Sequence, residues 1–257
     1  MVHWIMWVSI FMLGLVIGSF LAVCIHRIPQ GRSVVTPRSA CPACGTQIAW
    51  YDNVPLLSFL WLRGQCRACR QGIPLRYPLI EIANGLGYLL VVWKFGMAWE
   101  TLVYAGLMSV FLVVTWIDWD HQIIPDVITL PGIILGFVCA SFLLSTGWMN
   151  SLIGIVVGGG VLLALAWASP FLFGKEGMGG GDIKFLAMVG AFLGWKATLL
   201  ALMLASIVGA VIGVGLLLTK VMERGQYIPF GPYLALGSVV AMLWGPEIWN
   251  WYFQGFI

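Results

Sequence analysis

The sequence predicts an all-α polytopic membrane protein of about eight transmembrane helices, with one water-facing loop domain between the first and the second. Three observations carry that prediction. Of 257 residues, 61% are hydrophobic and 9% charged, and the mean hydropathy is +0.97. A water-soluble domain has about 25% charged residues, so this chain has too little charge to clothe a surface in contact with water. Long apolar runs recur along it, separated by short polar or glycine-rich breaks. The 32 glycines follow no collagen-like period, and the abundance of Leu, Val, Ile and Trp argues against disorder.

A span needs about 20 mostly apolar residues. The runs that meet or approach this are Trp4–Cys24, Pro78–Phe95, Thr101–Ile117, Val127–Ser145, Ser151–Phe173, Ile183–Trp195, Ala197–Thr219 and Pro229–Tyr252. The sixth is short enough to be tilted, partly re-entrant or extended at either end. The first is expected to be a retained helix. A signal peptide starts with basic residues, whereas Met1-Val2-His3 supplies no Lys or Arg and the basic residues follow the apolar run.

Orientation follows from the basic residues. Arg27, Arg32, Arg38, Arg63, Arg67, Arg70 and Arg76 lie between the first two spans. Alternating sides from there, Lys175, Lys184, Lys220 and Arg224 fall on the same face, and only Lys94 and Lys196 fall opposite. The basic face is therefore expected to be cytoplasmic, with both termini on the other side.

The loop from Arg27 to Arg76 is the one stretch long and hydrophilic enough to fold in water. It carries four of the six cysteines, as Cys41-Pro-Ala-Cys44 and Cys66-Arg-Ala-Cys69, with 21 residues between the two pairs. Paired C-x-x-C knuckles at about this spacing suit zinc, because two intervening residues let one tight turn present both thiolates to a tetrahedral ion. The competing readings are two disulfides or free thiols, and a reducing cytoplasm disfavours the disulfides. A loop of this size cannot build a deep core, and metal binding would supply the missing folding free energy. Four thiolates saturate the ion, so Cys41, Cys44, Cys66 and Cys69 predict a structural site. Cys24 and Cys139 stand alone in apolar runs and read as packing residues.

Acidic residues at membrane depth are costly, about 2.5–3.5 kcal/mol each at a helix centre. Two such passages fall on the basic face: Thr115-Trp-Ile-Asp118-Trp-Asp120-His121-Gln-Ile-Ile-Pro125-Asp126, and Gly177-Met-Gly-Gly-Gly-Asp182-Ile-Lys184. Two carboxylates brought together there could share one proton, one acting as general base on a water and the other as general acid. Paired membrane acids also serve ion transport, so spacing alone leaves both readings open. Asp126 reads as a helix N-cap after Pro125, and Asp182 could cap a helix too. Capping leaves the glycine run unexplained, and glycines let another backbone approach closely. Asp118 and Asp120 sit about 200° apart around a helix and cannot both face one partner.

Taken together these passages resemble the type IV prepilin peptidases, bacterial inner-membrane aspartic proteases of the GxGD kind. The resemblance runs through GSFLAVCIHRIP, the two cysteine knuckles around WYDNVPLLSFLWLRG, RYPLIE, IDWDHQIIPD and GMGGGDIKFLAMVGAFLG. It implies that Asp118 and Asp182 are the catalytic pair, with Asp120 as the competing assignment for the first. It implies substrates that are prepilins and the pilin-like subunits of type II secretion, cut on the cytoplasmic side after a glycine that ends a basic leader. Members with the cysteine loop typically also methylate the new N-terminus with S-adenosylmethionine. Membrane lipid is the other expected partner, and no nucleic acid is expected. Ala22 departs from the family, where Asn is frequent. Glu81 could contact the leader, bind S-adenosylmethionine or pair with Arg76, and the pairing is favoured.

The expected organisation is a first helix over 1–24, a zinc-binding loop over 25–77 and a seven-helix catalytic domain over 78–257. Two rival classes stand beside the enzyme. An ion- or metal-coupled transporter with a zinc-sensing loop would show inverted repeats, which the sequence lacks by eye. A noncatalytic scaffold for a secretion or pilus machine would have no need of two acids at the membrane edge.

Overall fold

The computed structural model describes residues 2–173, 179–219 and 228–254. Its helices are α1 (Val2–Arg27), α2 (Leu57–Trp61), α3 (Arg76–Phe95), α4 (Trp99–His121), α5 (Asp126–Phe142), α6 (Gly147–Phe173), α7 (Gly180–Leu218) and α8 (Gly231–Gln254). Among the described residues the only β-type pairing is two isolated bridges in the loop, Ala40 with Gln47 and Gln65 with Gly72. Among the described residues five helices, α1, α3, α4, α6 and α7, are long and apolar enough to cross a membrane. The protein is an all-α, multi-pass membrane protein, but the count of eight spans is not reached by that measure. The fourth expected span is the 17-residue α5. The eighth is α8, a continuous helix that carries Pro246 and Glu247 in its second half.

The sixth and seventh expected spans are joined in α7. Its 39 residues would measure nearly twice the roughly 30 Å of a hydrocarbon core if straight. The helix breaks at Gly194, where φ is 76° and ψ is 169°, a left-handed φ that glycine adopts without a Cβ penalty. A break inside a membrane strands carbonyls that water cannot reach. Hydroxyls meet them: Ser151 Oγ donates to Ala191 O at 2.6 Å, Thr146 Oγ1 to Phe192 O at 3.0 Å, and Thr198 Oγ1 to Gly194 O at 2.8 Å.

The chain divides into two compact units, residues 1–113 and 114–257. In the first, α1 lies on α3 through small residues one turn apart. A Cβ at Gly14 would come within 2.6 Å of Gly85 Cα, and one at Gly18 within 2.7 Å of Glu81 Cα. Such stripes allow the close backbone approach that holds helices together in lipid. Buried polar groups are paired among themselves: Asn84 Nδ2 donates to Gly14 O at 2.8 Å, Ser109 Oγ donates to Asn84 Oδ1 at 2.8 Å, and Tyr88 Oη lies 3.0 Å from Ser109 Oγ.

In the second unit the first half of α7 is sheathed by neighbours, and Phe185 to Phe192 are all buried. The backbone of α6 touches it at Gly154 against Gly190 and at Gly158 against Leu186, where a Cβ would meet carbonyl oxygens at 2.3 and 2.4 Å. Met188, Ala191 and Phe192 cover Gly132 and Gly136 of α5, and the second half of α7 meets α8 at Ala201 and Gly237. A helix apolar on every side is one buried on every side, which is why its sequence shows no amphipathic stripe.

Candidate functional site

Both acidic passages sit at helix ends in the second unit, and the fold brings them together. Asp118, in the last turns of α4, is buried at 5% exposure. Asp182, in the first turn of α7, is half-buried and close enough to Asp118 for their charges to interact. Two backbone donors hold the pair. Gly231 N–H, opening α8, donates to Asp118 Oδ2 at 2.8 Å, and Gly179 N–H bonds the Asp182 carboxylate. The Asp182 contact is the return half of a capping box, in which an acid in the first turn satisfies the N–H of the cap residue. Asp120 is exposed on the other side of α4.

Contacts flanking the pair fix the two passages against each other. A Cβ at Gly181 would lie 3.0 Å from Ile124 Cβ and 3.2 Å from Ile124 N, so the turn after α4 rests on the glycine run. Lys184 Nζ donates to both carboxylate oxygens of Asp126 at 2.7 Å. That corrects the capping role expected for Asp126. The cap position belongs to Pro125, whose side chain can accept nothing, and Asp126 is the first helical residue with its carboxylate committed to Lys184. Gly181 is small because Ile124 needs the space, whereas a Cβ at Gly180 would meet nothing within 4 Å. Gly177 and Met178 of the glycine run lie outside the described residues, as do Lys175, Lys220 and Arg224 of the charge bias.

Gly231 is the residue that sequence reasoning missed. A Cβ there would come within 2.7 Å of Asp118 Oδ2 and 3.0 Å of its Cγ, so any side chain would displace the carboxylate. The available signal was Phe230-Gly231-Pro232, a glycine followed by a proline at the start of an apolar run.

The cysteines form a second, separate centre in the first unit. The Sγ atoms of Cys41, Cys44, Cys66 and Cys69 all lie within 4.8 Å of one another. Tetrahedral zinc with bonds of about 2.3 Å would set its sulfurs about 3.8 Å apart, and Cys41 and Cys69 are at 3.8 Å. The two knuckles repeat one backbone design: Gly45 N–H donates to Cys41 O and Arg70 N–H to Cys66 O, each at 2.9 Å. Gly45 and Arg70 occupy the same left-handed position, at φ 70° and 58°. The Thr46 hydroxyl, 3.3 Å from Cys44 Sγ, favours the thiolate and brings that thiol down to about 6. A bond from Gln71 also favours the Cys69 thiolate, but desolvation and the other three sulfurs outweigh it and push Cys69 up to about 11. One positive ion among the four sulfurs would relieve that competition. The donor set fits a closed four-thiolate metal site. Arg67 steadies the second knuckle through a two-pronged bond to Asp52, at 2.6 and 2.8 Å.

Two partners of Glu81 are the Leu56 backbone, whose N–H donates to it at 2.9 Å, and the Ser19 side chain. Leu56 is held at φ 57°, a conformation a branched residue adopts only under tertiary constraint. Cys24 is buried and Cys139 half-buried, and neither joins the cluster.

Residues 105–214 match the model of the Type IV leader peptidase family, and residues 12–95 match the bacterial peptidase A24 N-terminal domain. A prepilin leader peptidase/N-methyltransferase of Aeromonas hydrophila is 40% identical over 99% of this chain and 96% of its own length. The chain belongs to the type IV leader peptidase family. Two relatives of the same name, from Stutzerimonas stutzeri and Pseudomonas aeruginosa, are 42% and 40% identical over 94% and 95% of the chain and 92% of their own lengths. No solved structure matches it.

Proposed function

We propose that this leader peptidase removes the basic leader from type IV prepilins and from pilin-like secretion subunits, with Asp118 and Asp182 as an aspartic dyad, and then methylates the new N-terminus. The observation that carries the reading is the convergence of those two carboxylates at the ends of α4 and α7, one of them fixed by Gly231 N–H. The dyad works with one proton between its two members. The ionised carboxylate takes a proton from water as the water oxygen bonds the scissile carbonyl carbon, and the protonated one gives its proton to the carbonyl oxygen. Collapse of the tetrahedral species breaks the C–N bond, and the leaving amine takes up a proton. The exposed glycines ahead of Asp182 leave room for an extended peptide.

S-adenosylmethionine, when bound, would supply an electrophilic methyl group to the freed amine, and the amine's displaced proton would pass to water. Zinc held by the four cysteines would cross-link the loop and leave no open position for substrate. Substrate leaders are basic and stay in the cytoplasm, which agrees with a basic face on the cytoplasmic side of a bacterial inner membrane.

The test is cleavage of a prepilin by purified protein in detergent. Asp118→Asn and Asp182→Asn should each lower the rate by roughly 10²–10⁴-fold while the protein still inserts. Asp120→Asn should keep appreciable activity. Loss at Asp120 with activity kept at Asp118 overturns the assignment.

A further inference from the structure

The cysteine-bearing loop shows an apolar surface on its one short helix. In α2, Leu57, Leu60 and Trp61 stand at i, i+3 and i+4, which makes them one face, and they are 59%, 69% and 84% exposed. The opposite side of the helix is the packed one: Phe59 closes on Gly64, where a Cβ would lie 3.0 Å from the Phe59 ring. Large apolar side chains grouped on a surface mark a place that meets something other than water. We propose that this face is an interfacial anchor, seated in the headgroup layer of the bilayer that α1 and α3 cross, with Arg63 on lipid phosphates. The anchor goes beyond the catalytic reading and does not depend on it.

Depth decides the occupant. Leu56, the residue before α2, donates its N–H to Glu81 Oε2 at 2.9 Å, and the same carboxylate bonds the Ser19 side chain. Ser19 lies eight residues before the end of α1, and Glu81 five residues after the start of α3. Those offsets are about 12 and 8 Å along the two helices. The loop therefore folds back beside the membrane helices, and α2 begins below their ends. With 20 residues, α3 is about as long as a hydrocarbon core is thick, so a point five residues inside it does not stand clear of the lipid.

The residue types agree with that depth. Tryptophan at the edge of an apolar face is favoured in the headgroup layer. Between residues 28 and 75 there are five arginines and one acid, Asp52, which is tied to Arg67. Arg32, Arg38, Arg63 and Arg70 are exposed, and basic residues beside a membrane are drawn to anionic headgroups. Arg63 follows Trp61 by two residues, at the end of α2. Three side chains on the outside of one helical turn form a ridge, a shape that enters fluid lipid but does not seat a peptide.

The rival occupant is the apolar segment of a prepilin. A photoreactive p-benzoylphenylalanine in place of Trp61, in the full-length protein reconstituted into phosphatidylethanolamine and phosphatidylglycerol vesicles, separates the two. The same probe in place of Leu13, exposed midway along α1, gives the yield of a side chain within a span. Phospholipid adducts at position 61 should come within about tenfold of those at position 13 and should not change when prepilin is added. A lower yield at 61 overturns the anchor. So does an adduct that passes to prepilin on its addition, which gives the face to the substrate. In vesicles that mix phosphatidylglycerol with phosphatidylcholine, the adducts should favour phosphatidylglycerol, and Arg63→Gln should cut that preference by up to about fivefold. An unchanged preference overturns the phosphate contact assigned to Arg63.

Discussion

The aspartate site and the cysteine loop hold reactive groups by opposite means. At the aspartates, preorganisation comes from helices that are already complete: Gly231 N–H, Gly179 N–H and the Ile124 turn are backbone groups delivered by α8, α7 and α4. The loop has only one short helix, two 3-10 turns and two isolated bridges, and two of its four cysteines are exposed. Its four sulfurs, within 4.8 Å of one another, are what joins its two knuckles. A site built on packed helices survives the loss of one side chain in its surroundings, whereas a site that is its own scaffold does not.

The largest expected effect breaks the loop. Replacing Cys66 and Cys69 together with Ser should release the metal and unfold the loop, because structural zinc supplies about 10 kcal/mol or more in small domains. Metal content should fall to background and methylation with it. Cleavage should weaken yet stay measurable at high substrate concentration. Metal retained at one per chain without those cysteines would count against the four-thiolate site.

The aspartate side should answer to pH and to geometry. Cleavage is expected to fall on both sides of an optimum, since the pair needs one proton and titrates in two steps. A rate that climbs steadily through alkaline pH, with binding unchanged, is the opposing result. Gly231→Ala puts a methyl group 2.7 Å from Asp118 Oδ2. A misplacement of about 1 Å at a reacting group can cost about 100-fold, so cleavage should drop by about that factor while zinc content and S-adenosylhomocysteine binding stay normal. Equal loss of all three would mark Gly231 as a folding residue.

The smallest effect sharpens the loop. The bond and charge of Arg67 hold Asp52 below its usual 3.8, so the pair's contribution is complete above that value and is lost only as pH falls through the lower folded one. Asp52→Asn should therefore soften the second knuckle slightly at neutral pH, seen as faster metal loss to a chelator. The difference should shrink below about pH 4 as the wild-type carboxylate is protonated.

Much of this was legible in the sequence because it depends on composition or on local spacing. Low charge and long apolar runs imply a membrane protein wherever the helices end up. Two C-x-x-C turns each present a pair of sulfurs through their own backbone, so the four-cysteine cluster could be read before any contact was known. Asp118, two residues and just over half a turn from Asp120, needed the family motif to be chosen, and burial then separates the two.

What only the tertiary structure decided are the contacts between distant segments. Gly194 looks like any membrane glycine until α7 is seen to break there and hand its carbonyls to Thr146 and Ser151. Asp126 reads locally as a cap, yet Lys184, 58 residues on, takes its carboxylate. Gly231 lies 113 residues from the carboxylate it holds; the Gly-Pro pair marks a helix start there, and nothing local says which residue needs the missing Cβ. Composition and turn geometry belong to short stretches of chain and can be read from them. A hydrogen bond across a hundred residues belongs to the packed helices, and it exists only once they have met.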